Sequence, residues 1–412
     1  MKALLPLVFF VLLLAGPRPA SAQLAPIDTT GGRYYRPVFA SVTVTSNVVY
    51  GAATAFGGAS QQLLLDVYQP AGDTVQRRPL ILFAHQGGFL TGSKTDDYMV
   101  AVCTRLARLG YVTASIDYRL GFALTGLARP ADTAGVAQAS VRGMQDMRAA
   151  VRFFRHDAAT AKAYRVASSY IVAGGSSAGA FMALQVGYLD KASEVPAYVG
   201  LAALGGIEGT GGNAGYSSAV AAVLNLSGAT ESPSIIEAGN APLCSVHGTA
   251  DATVPYLQGR VGSFLPPKYV YGSGRLHPRA EALGIRNTLR RLSRAGHIPF
   301  ETNAAYADTV FWTIRDFLRP VLRQPGAVLA IRASATASPI QAYPSPARKT
   351  VQLLLPADWA QLGEAEVLDL AGRVVRRFRP QAQATQVVRG TLPPGLYAVR
   401  FVGQAPVRVV FE

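Results

Sequence analysis

Apolar residues in the larger, N-terminal part of the chain form two alternating patterns. Short continuous runs occupy residues 79–84, 112–116 and 170–173, as in strands that are buried on both faces of a parallel sheet. Between these runs, apolar residues recur with helical spacing over residues 97–109 and 134–154. Strands that alternate with helices predict an α/β fold with a doubly wound, mostly parallel sheet.

The same part of the chain contains weaker patterns. Polar and apolar residues alternate over 41–45, which together with 63–68 predicts an antiparallel pair at a sheet edge. Residues 205–215 are rich in glycine and lack periodicity, so we expect a functional or mobile loop that helps to build the substrate pocket. Three more strands and a closing helix are predicted at 220–226, 243–246, 288–292 and 309–322.

The C-terminal part of the chain has a different composition. Residues 323–340 are dominated by Ala, Pro and Ser and predict a linker. Residues 341–412 contain no helical pattern but several short alternating runs, such as 351–355, 367–370 and 407–411, which predict a small β-sandwich. The larger, N-terminal domain is therefore expected to span residues 23–322.

The first 22 residues have the pattern of a secretory signal peptide. Lys2 supplies a positive charge, residues 4–15 form an apolar segment, and Ala20-Ser21-Ala22 offers a cleavage site. An uncleaved anchor helix is the alternative, but the apolar segment is short for a membrane span. The sequence thus predicts an exported protein, secreted or held at the cell surface, whose mature chain begins at Gln23.

Charge and cysteine content add two expectations. The net charge is +15, but the arginines are scattered rather than clustered with aromatic residues, which argues against nucleic-acid binding. Cys103 lies in a helical pattern and Cys244 in an apolar strand pattern, so two buried free thiols are favoured over the disulfide that export would permit.

The run that ends at residue 173 leads into Gly175-Ser176-Ser177-Ala178-Gly179. This G-x-S-x-G pattern is typical of a sharp strand-to-helix turn that exposes a nucleophilic serine, here Ser177. The outer glycines suit a turn with no room for Cβ atoms. Ser176 is a competing candidate, with Gly174 and Ala178 as its small neighbours, and an ordinary Gly/Ser turn is the non-catalytic alternative.

A serine nucleophile needs a histidine base, which in this class follows both the serine and the acid along the chain. His297 directly follows the last predicted strand, and Gly296 would let the loop turn the imidazole inwards. His277, just before that strand, is the main rival. The other histidines fit less well: His85 and His156 precede the serine, and His247 ends an apolar strand, where a structural hydrogen bond is expected.

Asp251 is the candidate acid, because it follows a predicted strand between the serine and the base. The alternative is an aspartate that only caps a turn. Asp117 precedes the serine and is expected to anchor a loop through Arg119.

An oxyanion formed on the substrate needs preorganised N–H donors. The Ala178 amide follows the nucleophile directly, and the Gly87 and Gly88 amides follow an early strand. No metal-binding cluster, phosphate loop or dinucleotide fingerprint is present in the sequence, so we expect neither a cofactor nor a metal.

Residues 41–322 resemble the α/β-hydrolase superfamily and, within it, its carboxylesterase-like group. The resemblance rests on the Ser177 turn, Gly296-His297 and the stretches Leu65-Asp66-Val67-Tyr68-Gln69-Pro70, His85-Gln86-Gly87-Gly88-Phe89 and Asp117-Tyr118-Arg119. It implies a Ser177–His297–Asp251 triad with Gly87, Gly88 and Ala178 as oxyanion donors. The layout is similar to bacterial esterases that remove feruloyl or acetyl groups from plant polysaccharide. Two departures are Gln86, where a glycine is usual, and Ser176, where many relatives carry an acidic residue.

The tail resembles the C-terminal sorting domain of proteins exported by type IX secretion. The matching stretches, in order, are Ala342-Tyr343-Pro344-Ser345-Pro346-Ala347, Asp369-Leu370-Ala371-Gly372-Arg373 and Leu392-Pro393-Pro394-Gly395-Leu396-Tyr397. The resemblance implies the export machinery as a partner and removal of the tail. Without it, an accessory carbohydrate-binding sandwich is equally compatible with the pattern.

The sequence as a whole predicts a secreted serine hydrolase of carboxylic esters, with a small-molecule or polysaccharide-linked substrate. A lipase or peptidase on the same fold is one alternative, and a non-catalytic surface-binding protein is another.

Overall fold

The computed structural model describes residues 27–123, 133–262, 268–323, 340–343, 347–355, 363–369, 373–401 and 406–412. The predicted signal peptide and nearly all of the predicted linker lie outside these residues. In the described part of the chain, no helix combines the length and the apolar character that a membrane span requires.

Eleven strands lie in the part of the chain before residue 293 that the structure describes. They are β1 (Val42–Thr54), β2 (Ser60–Pro70), β3 (Arg78–Ala84), β4 (Val112–Ile116), β5 (Val166–Ser176), β6 (Ala222–Leu226), β7 (Ala229–Thr230), β8 (Leu243–Gly248), β9 (Gln258–Arg260), β10 (Tyr269–Gly272) and β11 (Asn287–Leu292). Eight of them form one sheet in the order β1-β2-β4-β3-β5-β6-β8-β11, while β7, β10 and β9 form a small antiparallel sheet.

The large sheet is parallel from β4 to β11, and β2 runs antiparallel to both β1 and β4. The predicted antiparallel pair is therefore at the sheet edge, although β1 continues to Thr54, into a segment that looks turn-rich in the sequence. The structure confirms the predicted fold class.

Five helices of the described residues cover this sheet: α1 (Asp97–Ala107), α2 (Thr133–Ala159), α3 (Ala178–Tyr188), α4 (Ser273–Ala282) and α5 (Ala304–Arg323). All seven residues of β3 are buried, and its last five alternate between two apolar cores. Leu80 and Leu82 pack in a core shared with α2 and α3, whereas Ile81 and Phe83 pack in a core shared with α1 and α5. The sheet is thus covered on both faces, as its continuous apolar strands predict.

The two cysteines are free and buried. Cys103 lies on α1 and Cys244 on β8, and burial raises the pKa of the Cys103 thiol to about 12. The prediction of two buried thiols is confirmed.

The described part of the tail consists of seven strands in two antiparallel sheets. These strands are β12 (Gln341–Tyr343), β13 (Thr350–Leu354), β14 (Ala365–Leu368), β15 (Val374–Phe378), β16 (Ala384–Val388), β17 (Gly395–Phe401) and β18 (Val407–Phe411). The sheets have the orders β12-β13-β16 and β15-β14-β17-β18. Their apolar residues, among them Leu353, Val399 and Val409, form a core made of tail residues, which agrees with the predicted all-β tail.

The glycine-rich loop at 205–215 is held against α2 and β1. Arg148 and Arg152 of α2 both form ion pairs with the Glu208 carboxylate, at 2.7 Å for Arg152. The Arg152 Nε atom also donates to the Gly212 carbonyl at 3.0 Å. A Cβ atom at Gly51 would lie 1.7 Å from the Gly211 carbonyl oxygen, so the loop backbone packs directly on β1.

We predict that Glu208→Ala lowers the free energy of unfolding by about 1–3 kcal/mol, because two nearly buried guanidinium groups lose their carboxylate partner. Urea unfolding measures this loss. Glu281→Ala, at an exposed helical carboxylate, is the control and should change stability by less than about 0.5 kcal/mol. Equal stabilities of the two variants would contradict the role assigned to Glu208.

Candidate active site

Ser177 occupies a strained turn between β5 and α3. Strand β5 ends at Ser176 and helix α3 begins at Ala178, which leaves Ser177 with φ +49° and ψ −115°. A positive φ at a residue other than glycine costs on the order of 1–3 kcal/mol and persists only where the surroundings impose it. The Ser177 amide donates to the Leu226 carbonyl at 2.9 Å, which fixes the turn against β6.

The outer glycines of the turn are needed because of backbone contacts. A Cβ atom at Gly175 would lie 2.2 Å from the carbonyl carbon of Gly179. A Cβ atom at Gly179 would lie 2.0 Å from the Ala84 carbonyl oxygen, at the end of β3. These contacts agree with Ser177 as the central serine. The competing Ser176 is fully buried, and its hydroxyl donates to the Glu301 carboxylate.

The three residues selected by chain order lie together. The Ser177 Oγ atom is 2.8 Å from His297 Nε2, and His297 Nδ1 is 2.7 Å from Asp251 Oδ2. A carboxylate only accepts hydrogen bonds, so the Nδ1 atom carries the proton and the Nε2 atom accepts from the serine hydroxyl. His297 is therefore in the tautomer that a general base requires.

Four donors surround the Asp251 carboxylate. Its Oδ1 atom accepts from the Thr253 and Val254 amides at 2.9 and 2.8 Å, while Oδ2 accepts from His297 and lies 3.3 Å from His247 Nε2. Burial opposes ionisation of Asp251, but the bonds from both histidines and the Val254 amide outweigh it and hold the pKa of this carboxyl well below its usual range. Asp251 thus makes the turn that the alternative interpretation expects and also orients the histidine.

His247 makes the structural hydrogen bonds expected of it and one more contact. Its Nε2 atom faces the Val254 carbonyl at 3.0 Å as well as Asp251, and its Nδ1 atom is 2.9 Å from the Ser273 hydroxyl. The contact with Asp251 is absent from the sequence interpretation. The four-residue separation of His247 and Asp251 on either side of a strand end is the signal that would have suggested it.

The other histidines lie elsewhere. His277, the rival base, is buried in α4 and bonds to the Asn287 side chain at 2.9 Å, so that alternative is wrong. His85 stacks on Tyr118 with ring centroids 4.3 Å apart, and His156 is exposed.

The turn after β3 brings a second amide to the serine. Gly87, Gly88 and Phe89 all have positive φ values, and Gly88 lines the same cavity as Ser177 and Ala178. The Gly88 and Ala178 amides donate no hydrogen bond to any residue that the structure describes, so both are available to a substrate oxygen. Gly87 closes the turn, since its carbonyl accepts from the Leu90 and Thr91 amides. Its role as a donor stays a prediction.

The loop anchored by Asp117 differs from the expectation. Arg119 pairs with Asp146 of α2 at 2.7 Å, and both side chains are almost fully buried. Asp117 instead accepts from the Lys94 amide at 2.7 Å. The predicted link between Asp117 and Arg119 is wrong, because a buried carboxylate on the next helix takes the guanidinium.

A largely apolar cavity opens beside Ser177. Phe89, Val141, Phe181, Val199, Val254 and Val270 are among the side chains in its walls. Glu231 and Lys268 also line it and form an ion pair of 2.7 Å. Residues 205–215 do not contribute to its lining, so the glycine-rich loop does not build this cavity, and its part in a leaving-group pocket stays a prediction.

This arrangement is suited to acyl transfer. It combines a hydroxyl bonded to a correctly protonated imidazole, a carboxylate that is held ionised, and two free amides that line the same cavity as the hydroxyl. Among the described residues, no group of His, Cys, Asp and Glu side chains could hold a metal ion.

Comparison with known proteins finds one matching family and a set of similar solved structures. Residues 65–233 match the family described as BD-FAE. This segment is less than half of the chain and contains Ser177 but neither Asp251 nor His297. No curated protein matches the chain.

The similar solved structures include esterase 2 of Thermogutta terrifontis. Its apo form is 22% identical, with a TM-score of 0.46 over 69% of this chain and 96% of that chain. The propionate-bound form is 21% identical, with a TM-score of 0.47 over 68% and 95%. The form phosphorylated by paraoxon is 23% identical, with a TM-score of 0.46 over 69% and 95%.

We predict that Gly179→Ala slows the labelling of Ser177 by a fluorophosphonate at least about tenfold, because a new Cβ must displace the backbone at Ala84. Gly296→Ala is the control. A Cβ atom at Gly296 would have no other heavy atom of the described residues within 4 Å, and this residue does not adopt a positive φ. Contrary to the expectation from the sequence, the position of His297 therefore does not require a glycine before it, and this variant should label within about twofold of wild type. Similar losses in both variants would refute the steric account.

Proposed function

We propose that this protein is a serine hydrolase of carboxylic esters. The observation that carries the proposal is the continuous hydrogen-bonded path from Ser177 Oγ through His297 to Asp251, beside a cavity lined by Gly88 and Ala178. The match of residues 65–233 to the BD-FAE family supports it.

The first half-reaction forms an acyl-enzyme. The Ser177 Oγ atom bonds to the ester carbonyl carbon while His297 Nε2 takes the hydroxyl proton. The carbonyl oxygen becomes an oxyanion that accepts from the free amides, and Asp251 stabilises the imidazolium. The imidazolium then protonates the leaving alcohol oxygen as its bond to carbon breaks.

The second half-reaction restores the enzyme. Water attacks the acyl carbon, and His297 takes the proton of the water. When the bond to Ser177 breaks, the imidazolium returns a proton to Oγ and the carboxylic acid leaves. The same residues act in both steps, so no further acid or base is required.

The substrate class follows from the walls of the cavity. Because they are mainly apolar, we propose that they receive an apolar acyl group larger than acetyl. A feruloyl group is aromatic and meets this requirement, whereas an acetyl group would leave most of the walls in contact with water. Attachment of the substrate to a polysaccharide, export through the signal peptide, and sorting by the tail stay predictions.

Ser177→Ala is expected to lower kcat for 4-nitrophenyl butyrate by about 10⁴-fold or more, since the variant has no nucleophile. Ser60→Ala, at an exposed strand position, is the matched control and should keep wild-type kcat. Wild-type kcat in the Ser177 variant would overturn the proposal. A wild-type protein that fluorophosphonates do not label would favour the non-catalytic alternative, and faster cleavage of triglycerides or peptides would favour a lipase or a peptidase.

We predict that kcat/KM increases with the length of the acyl group. Burial of one methylene contributes about 0.8 kcal/mol, so kcat/KM should rise by up to about fourfold per methylene from acetate through butyrate to hexanoate. Val136→Phe narrows the cavity and should reduce the hexanoate rate while the acetate rate stays within about twofold. Val100→Phe, on the exposed face of α1, is the control. An acetate optimum in wild type would contradict the acyl-group proposal but not the esterase proposal.

A further inference from the structure

One partly buried carboxyl beside the triad, that of Glu301, has no part in the mechanism above. Glu301 ends a short 3-10 helix, Pro299–Glu301, which begins two residues after His297. Its Oε1 atom accepts a hydrogen bond from the Ser176 hydroxyl. Ser176 is fully buried and directly precedes the nucleophile. The bond therefore joins the segment that carries the base to the turn that carries the nucleophile.

The backbone after His297 is shaped to make this connection. Ile298 has φ +40°, which is a genuine outlier for a β-branched residue. The Glu301 amide donates back to the Ile298 carbonyl at 3.1 Å. Phe300 is buried and packs on the Tyr98 ring, with centroids 5.2 Å apart. A tight, anchored turn thus brings Glu301 back towards the site immediately after His297.

Three titratable groups face Glu301 from the elements around it: His297 on its own segment, Asp96 before α1, and Tyr98 on α1. Burial raises the pKa of Glu301 to about 7, with Asp96 adding to the increase, while the Ser176 bond and the charge of His297 oppose it. Asp96 also accepts from the Gln86 side chain at 3.1 Å. The charge on Glu301 therefore changes near neutral pH.

We propose that Glu301 is a positioning residue that holds the His297 segment against the nucleophile turn through Ser176 and, when ionised, stabilises the imidazolium. The inference rests on the proposed function, because the imidazolium that Glu301 would stabilise is the one formed when His297 takes the Ser177 proton during turnover. Protonation of Glu301 removes the second negative charge while leaving Asp251 ionised. Activity should therefore fall as the pH decreases and Glu301 takes up a proton.

The test is the pH profile of kcat/KM for 4-nitrophenyl butyrate, followed from mildly acidic to mildly alkaline pH. The wild-type profile should contain a fall in kcat/KM near neutral pH that follows the protonation of Glu301. Glu301→Gln keeps the shape of the side chain and an acceptor for Ser176 but has no charge. Its profile should lack this fall, and its kcat/KM at mildly alkaline pH should be roughly 3–10-fold lower than that of wild type.

Ser176→Ala should move the fall in kcat/KM to higher pH. This variant keeps the carboxyl but removes the donor that favours its ionised form, so Glu301 stays protonated to higher pH. Asp308→Asn is the control, because it neutralises an exposed carboxylate on α5 that pairs with Arg105. Its profile should match that of wild type.

The inference would be overturned if kcat/KM of Glu301→Gln fell with decreasing pH in the same way as that of wild type. Variants of Glu301 and Ser176 that lose activity by the same factor at every pH, together with a lower Tm, would also overturn it, since that result indicates only a structural role. Failure of the proposed function would look different, because wild-type protein itself would then neither hydrolyse the ester nor react with a fluorophosphonate.

Discussion

The site depends on the contact between the start of α3 and the end of β3. Gly179 lies so close to the Ala84 carbonyl that a single methyl group at this position would collide with the backbone. This contact places the Ala178 amide near the turn that carries Gly88, so that two donors from separate strand ends line one cavity. It also forces Ser177 into its positive φ, since β5 has to reverse into α3 within one residue. The strain at the serine is a consequence of how closely the helix packs on the sheet.

Parallel strands explain why the triad could be predicted from chain order. Ser177, Asp251 and His297 follow β5, β8 and β11, and the carboxyl ends of these strands lie at the same edge of the sheet. This prediction needs only the strands, their order along the chain and the residue types that follow them. The apolar runs indicate the strands, and the sequence gives the other two directly. The fold class was predictable from the same apolar runs, whereas Ser177 was preferred over Ser176 because of the glycines at 175 and 179, where the structure leaves no room for Cβ atoms.

Features that depend on contacts between distant side chains could not be predicted in this way. The glycine-rich loop looked like a substrate loop, but the arginines of α2 bind it, and their partner Glu208 is 56–60 residues away. Arg119 pairs with Asp146 rather than Asp117 because of how α2 lies over the sheet. Helix α4 contains Pro278 and carries the rival His277 away from the site. In each case the residue types permitted several partners, and only the packing selects one.

The two carboxyls near His297 differ in how many donors surround them. Asp251 has four, which outweigh the cost of burying its charge, so this residue stays ionised over the whole range in which an esterase would work. Glu301 has the Ser176 hydroxyl and faces the negative charge of Asp96, so burial dominates and its charge is conditional. Asp251 orients His297 through a hydrogen bond of 2.7 Å, whereas the contribution proposed for Glu301 depends on whether this residue is ionised. The number of donors, rather than burial alone, separates the two roles, since Asp251 is buried and Glu301 is partly buried within the same site.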